Sequence, residues 1–313
     1  MKSGAYGAAA GLPAQPFFLV GQTGERFCLY HPAQGTVRGA LVYVHPFAEE
    51  MNKCRRMAAQ QARNFARAGF AVLQIDLYGC GDSSGDFGDA RWDIWLDDLQ
   101  RAQQWLALQQ SGPVGWWGMR LGALLALEAA GRFGGGPVLL WQPVISGEVF
   151  MTQFLRMRVA TEVLAAAVVA GIAEEVPAVS AAASKSESTA ESAEDLKAAK
   201  AASTQGMRAA MAGGETMEVG GYALAPAMAA AIDNLKLFRL AVPGLGVHWF
   251  EVVAEQGRAL PPAAAVAATA LREAGVDLHL HLAVGPAFWT TQEVVDCPAL
   301  LTATSAFQEL VLA

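Results

Sequence analysis

The chain has 313 residues, a formal net charge of −7, and 53% hydrophobic against 16% charged residues. That is enough apolar material for one large α/β domain, or for a domain with an insertion, and the acidic balance argues against a nucleic-acid partner. Its four cysteines, Cys28, Cys54, Cys80 and Cys297, show no C-x-x-C spacing, so they read as buried or incidental thiols rather than a disulfide framework or a metal site.

Residues 1–15 read as a flexible leader with one lysine and no firmly apolar run, so no signal peptide is expected and the simplest address is the cytoplasm. Pro16–Gly21 and Arg26–His31 then form a hairpin around Gly21-Gln22-Thr23-Gly24. Ala40–Val44 is a continuous apolar run, as for a strand buried on both faces, and ends in His45-Pro46-Phe47. An amphipathic helix over Met51–Gly69 leads to a second buried strand, Phe70–Leu77, and the loop Tyr78–Gly85. A helix over Ala90–Gln110 carries Trp92, Trp95 and Trp105. Val114–Ala126 is a strand, a turn and a helix, and another strand follows at Val138–Trp141.

The alternation breaks near Ser146. Residues 146–240 read as an inserted helical cap, with a low-complexity segment at 180–204 and a Gly-Gly hairpin inside Thr216–Leu224. The most apolar run there, Val163–Ala173, is too short to span a bilayer. The α/β pattern resumes over residues 241–313, with strands at Val247–Ala254 and Val276–Val284 and helices at Pro261–Ala274 and Ala299–Leu312. The fold class is therefore α/β, a doubly wound, mostly parallel sheet over 16–145 and 241–313 with a cap inserted after the sixth strand. In such a sheet the ligand crevice lies at the carboxyl ends of the strands. Those ends carry His45, Asp76, Arg120 and Gln142.

The turn Gly118-Met119-Arg120-Leu121-Gly122 has the layout of an α/β-hydrolase nucleophile elbow, in which the central residue is a serine on a strained strand-to-helix turn. The central residue here is Arg120, which stays protonated and cannot attack a carbonyl. An oxyanion hole needs only backbone N–H groups, and Leu121 and Phe47 hold the two expected places. The general base should follow the last strand, yet Gly285-Pro286-Ala287-Phe288-Trp289-Thr290 contains no histidine. Glu255 stands where the triad acid would be, either as an acid or as an ordinary loop carboxylate. Pocket candidates are His45, Glu49, Asp76, Met119, Arg120, Gln142 and Trp289. Arg120 either clamps an anionic ligand or forms an internal ion pair with Asp76, Glu49, Glu50 or Glu255. Asp76 either joins that pocket or braces its own loop. Lys53, Arg55 and Arg56 form a solvated face or a contact for an acidic partner or lipid headgroup. No G-x-G-x-x-G or P-loop pattern follows a strand, so neither a nucleotide cofactor nor a metal is expected.

The segments HPFAEEMNKCRRM, DLYGCGDSSGDF and WWGMRLGALLAL, with the hairpin segment Glu215–Leu224, resemble the second type of exosortase A system-associated hydrolase. The resemblance runs from about residue 16 to the C-terminus and is weakest in 180–204. It implies the α/β-hydrolase fold, arginine as the usual elbow residue, and an association with exopolysaccharide production and the sorting of PEP-CTERM proteins. Cys54 and the Ala/Ser-rich insertion are local variation on that pattern. Two readings of function follow. One is a hydrolase of an acyl or ester ligand working without a Ser-His-acid triad; the other is an inactive binding or scaffold protein holding an anionic ligand through Arg120. Partners under either reading are that small ligand and components of the exosortase system, with at most a peripheral contact to membrane.

Overall fold

The structure, a computed structural model, describes residues 12–169 and 204–310. The expectations for residues 1–11 of the leader and 180–203 of the low-complexity segment fall outside the described residues.

Ten strands are described, β1 (Gln15–Val20), β2 (Glu25–His31), β3 (Gly39–Val44), β4 (Phe70–Ile75), β5 (Val114–Met119), β6 (Val138–Trp141), β7 (Met217–Val219), β8 (Tyr222–Leu224), β9 (Gly246–Val253) and β10 (Asp277–Val284). Eight of them form one sheet in the order β1-β2-β4-β3-β5-β6-β9-β10. The first two pairings are antiparallel and the other five parallel. Strands β3, β5 and β6 are buried along their whole length, which is why their sequences are unbroken apolar runs rather than alternating ones.

The described helices are α1 (Glu49–Arg67), α2 (Trp92–Gln109), α3 (Leu121–Phe133), α4 (Gly147–Val169), α5 (204–212), α6 (Pro226–Asp233), α7 (Pro262–Glu273) and α8 (Pro298–Leu310). Helix α1 buries Met51, Cys54, Met57, Ala58, Ala62 and Phe65, a helical spacing that presents one apolar face. It starts at Glu49, two residues before the expected Met51. Ala48 turns the chain at φ 50°, and Glu49 and Glu50 occupy the first turn, where the helix dipole favours negative charge.

Against the sheet, this face joins an aromatic core. The Trp117 ring lies 4.4 Å from Tyr43, 5.3 Å from Phe65 and 4.8 Å from Trp141. Helix α8 is tied to that core by a buried hydrogen bond, 3.0 Å, from Trp141 Nε1 to Thr304 Oγ1.

The described residues divide into two compact units. Of the described residues, the larger draws on 12–86, 92–145 and 236–310, the smaller on 87–91, 146–169 and 204–235. Within the smaller unit, Arg208 joins three elements: Nη1 donates to Asp233 Oδ2 at 2.5 Å, and Nη2 to Glu148 O and Thr152 Oγ1 at 3.0 and 2.9 Å. Its β7–β8 hairpin turns through Gly220 and Gly221, both at positive φ, the backbone that a two-residue turn of this kind requires. Among the described residues no helix is long and apolar enough to cross a membrane, and no group of His, Cys, Asp and Glu is arranged to hold a metal ion.

Candidate functional site

The strand-to-helix turn after β5 is an elbow in backbone as well as in sequence. Arg120 sits at φ 56°, ψ −119° as the N-cap of α3, a region that non-glycine residues enter only when their surroundings force it. Its N–H donates to Trp141 O at 3.0 Å, and its carbonyl accepts from Ala123 and Val144. The flanking glycines are needed for close approach. A Cβ on Gly118 would meet Gly122 O at 2.5 Å, and one on Gly122 would meet His45 O at 2.3 Å and Val44 O at 2.5 Å. Strand, helix and the loop after β3 therefore pack backbone to backbone around residue 120.

The Arg120 side chain turns to Glu50, on the first turn of α1. Nε lies 3.2 Å from each carboxylate oxygen and Nη2 3.1 Å from Oε1. Both side chains are largely buried, at 16% and 19% exposure. Burial pushes the Glu50 carboxyl above its ordinary range, and the Arg120 charge opposes that rise without cancelling it. Trp289, from the loop after β10, places its ring 5.4 Å from the guanidinium carbon, within cation–π range. Three separate parts of the sheet top thus converge on one cation. Among the described residues, no hydrogen bond uses Arg120 Nη1.

Next to this group lies a carboxylate that no sequence motif marks. Glu251, on β9, is 4% exposed and accepts from Trp249 Nε1 at 2.8 Å and Gln142 Nε2 at 2.9 Å. Gln142, at φ 44°, also accepts from Val252 N–H at 2.7 Å. Burial raises the Glu251 carboxyl, while those two donors and the Arg120 charge work against it. The signal was a lone acid inside the apolar run VHWFEVV. Glu255, the acid position weighed from sequence, is exposed in the turn after β9.

The other candidates fall in different places. His45 bonds through both ring nitrogens, Nδ1 to Pro46 O at 2.7 Å and Nε2 to the Leu77 N–H at 3.3 Å. Because Nε2 accepts, Nδ1 carries the proton, and burial lowers the pKa of the ring. It fastens the β3 loop to the β4 loop as a neutral imidazole. Asp76 Oδ2 accepts from Arg55 Nη2 at 3.0 Å and from Asp82 N–H at 3.1 Å, so it braces its own loop. Met119 is fully buried in the core beside Trp117 and Trp141, not on an open surface. Glu49 is exposed, with Asn52 Nδ2 at 3.4 Å. Phe47 is buried with its ring against Trp95. Leu121 opens α3 and so carries one of the N–H groups that a helix leaves without an internal partner.

No substitute nucleophile emerges from the neighbouring loop. Ser83 Oγ donates to Asp76 O at 2.5 Å and accepts from Phe27 N–H, and Ser84 Oγ accepts from Glu25 N–H. Both hydroxyls stitch that loop to β2. Burial pushes the Cys80 thiol far above its ordinary range, which leaves no thiolate to react.

Comparison with known proteins agrees with this architecture. The family model described as serine aminopeptidase, S33, matches residues 35–227. No curated protein matches the chain. Among solved structures, Est1E from Butyrivibrio proteoclasticus, determined with ferulic acid bound, superposes with a TM-score of 0.59 at 12% identity, covering 94% of this chain and 98% of that one. The α/β hydrolase GrgF from Penicillium gives 0.58 at 16%, covering 96% and 99%. A soluble variant of monoglyceride lipase from Saccharomyces cerevisiae gives 0.55 at 12%, covering 97% of each. At these identities the likeness is one of fold. With its parallel sheet, its elbow between two glycines and a family match over more than half its length, the chain belongs to the serine aminopeptidase S33 family of α/β hydrolases.

Proposed function

We propose that this chain is a non-hydrolysing member of its family, which binds a small anionic or acyl ligand as part of the exosortase and exopolysaccharide system. The observation that supports this reading is the ion pair between Arg120 and Glu50 at the elbow. A guanidinium has no lone pair to offer a carbonyl carbon, and the residue reaching it from the loop after β10 is Trp289 rather than a histidine. Acyl-enzyme chemistry needs both a nucleophile and a base. What the site retains is suited to holding an oxygen: the Nη1 edge of Arg120 and the amino end of α3 beside it.

The reading includes a cytoplasmic protein with no nucleic-acid partner, cofactor or metal. Arg55 and Arg56 are already paired, with Asp76 and Asp296, so a contact with membrane lipid is the weaker part of the proposal. The hydrolytic alternative rests on family membership and on the Leu121 N–H, with Glu50, whose carboxyl is raised by burial, as its base.

One pair of assays separates the two. The purified chain is given p-nitrophenyl acetate, p-nitrophenyl butyrate and an acyl thioester, and is titrated calorimetrically with inorganic phosphate and acetyl phosphate. The expected result is no turnover above buffer, with anion binding that disappears in Arg120→Ala. Turnover in the wild type that is lost in Arg120→Ala and Glu50→Gln, with circular dichroism unchanged, would establish the hydrolase instead.

A further inference from the structure

A cavity of about 210 Å³ is walled by α1, β2, β3 and β4. Its walls are apolar, with Phe27 and Leu29 from β2, Ile75 from β4, and Met51 and Ala58 from α1. Five polar side chains also line it: Tyr43, His45, Arg55, Gln74 and Asp76.

Tyr43 is the telling one. The side chain is 4% exposed, and among the described residues its hydroxyl takes part in no hydrogen bond. That hydroxyl lies within electrostatic reach of Arg55 and Asp76. Tyrosine hydroxyls inside a protein usually find a partner. This one is left facing a cavity.

The neighbouring groups are biased towards donation. Gln74 Oε1 is taken by His31 Nε2 at 3.0 Å, which leaves its amide N–H₂ without a partner among the described residues. Arg55 gives one nitrogen to Asp76 and, with its side chain 45% exposed, keeps the rest of its five N–H donors. Asp76 takes two bonds at Oδ2, one of them from Arg55, and keeps Oδ1 as an acceptor, fewer sites than the donors that remain. His45, also in the wall, has both nitrogens engaged. Surplus donors around an apolar chamber call for a ligand whose head accepts and does not donate.

We propose that this cavity, with the unpartnered Tyr43 hydroxyl and the Arg55 guanidinium at its polar end, is a binding site for a small monocarboxylate with an apolar body. Its volume is below the ~300 Å³ at which sites for drug-sized ligands begin. It holds about seven groups of water size at roughly 30 Å³ each. That suits a short aliphatic or monocyclic aromatic acid. Its polar end, Tyr43 and Arg55, takes no part in the Arg120–Glu50 pair, so the site stands or falls apart from the reading of Arg120.

The probes are sodium hexanoate and sodium benzoate, titrated into the full chain by calorimetry, with hexanol as the uncharged control. The acids are expected to bind, and hexanol at least about tenfold more weakly. Tyr43→Phe keeps the shape and removes the hydroxyl, and should weaken the acids about tenfold, as loss of one hydrogen bond to a charged group does. Ala59→Phe, from the α1 wall, should fill the chamber and abolish binding; its thermal unfolding is recorded alongside. Tyr43→Phe decides the matter if that variant does not fold. The proposal is overturned if neither acid binds the wild type at millimolar concentration, or if hexanol binds as well as hexanoate. It is equally overturned if binding is unaffected by Tyr43→Phe, or is lost only in Arg120→Ala.

Discussion

Arg120 and Glu50 meet through a two-nitrogen fork, Nε and Nη2 against one carboxylate, across the join of two helix amino ends. Arg120 is itself a non-glycine turn residue, at φ 56° and ψ −119°, and Glu50 lies two residues after another of nearly the same backbone, Ala48 at φ 50° and ψ −130°. Two strand-to-helix turns of like backbone, after β3 and after β5, are thus bridged by charge.

Removing one partner from such a pair strands the other. Glu50→Ala leaves a guanidinium at 16% exposure without its counter-ion, and should cost about 2–3 kcal/mol, below the ~3–5 typical of fully buried pairs. Arg120→Ala should cost less than the sum of its lost contacts, because an uncharged, protonated Glu50 is already favoured by burial. The double variant should then be less destabilised than the two single changes add up to, with a coupling of about 1–2 kcal/mol. Urea unfolding of the four proteins measures it; additive effects would mean that the two side chains act independently.

Gly122 sets a harder limit than any side chain of the elbow. A Cβ there would lie 2.3 and 2.5 Å from the carbonyl oxygens of His45 and Val44, both main-chain atoms that cannot rotate away. Gly122→Ala should destabilise by more than about 4 kcal/mol, in the range reserved for overpacking against backbone. Gly134→Ala is the control. Nothing lies within 4 Å of its Cβ, but at φ 68° and ψ −156° it holds a backbone that only glycine enters readily, so the cost should be about 2–3 kcal/mol of backbone strain with no overpacking. Thermal unfolding of both variants tests the difference.

The elbow was legible because glycine spacing reports how closely two backbones approach, a property carried by the residues themselves. The parallel strands were legible for a similar reason: burial on both faces leaves an unbroken apolar run in the sequence. The partner of Arg120 was not. Four acids stood within plausible reach, and the choice of Glu50 depends on Ala48 adopting a positive φ, which starts α1 early and rotates Glu50 rather than Glu49 toward the elbow. Glu251 was illegible for the opposite reason. Its two donors come from Trp249, two residues away, and Gln142, just past the end of β6, and no local pattern announces a satisfied carboxylate inside a strand.

A second buried charge pair lies at the edge of the sheet. Arg26 and Asp98 are both fully buried, with Nε 2.7 Å from Oδ1, and Asp98 Oδ2 also accepts from Tyr78 N–H at 2.9 Å. Burial still pushes the Asp98 carboxyl upward. Asp98→Ala should cost about 3–5 kcal/mol, since it leaves Arg26 charged and dry. Asp98→Asn, which keeps the shape and one acceptor, should recover part of that. The midpoints of urea unfolding, compared at constant slope, give both values.

The remaining prediction concerns pH. On β9 and β10, His279, His248 and His281 lie in parallel stack, with ring centroids 4.5 Å apart for the first pair and 5.5 Å for the second. Burial, and then the neighbouring His279 and His281, push the His248 pKa from 6.5 down to about 3, against a smaller opposing pull from Asp277. The folded protein therefore binds this proton less readily than the unfolded chain. By linkage, the stability that comes from keeping His248 neutral is full above pH 6.5 and is lost progressively as pH falls from 6.5 towards about 3. His248→Gln cannot take up the proton, so its unfolding temperature should fall less steeply than that of the wild type across that window, while above pH 7 the two should run parallel. Calorimetric scans at intervals of half a pH unit read this directly. Parallel curves throughout would mean that the stack accepts the proton without strain.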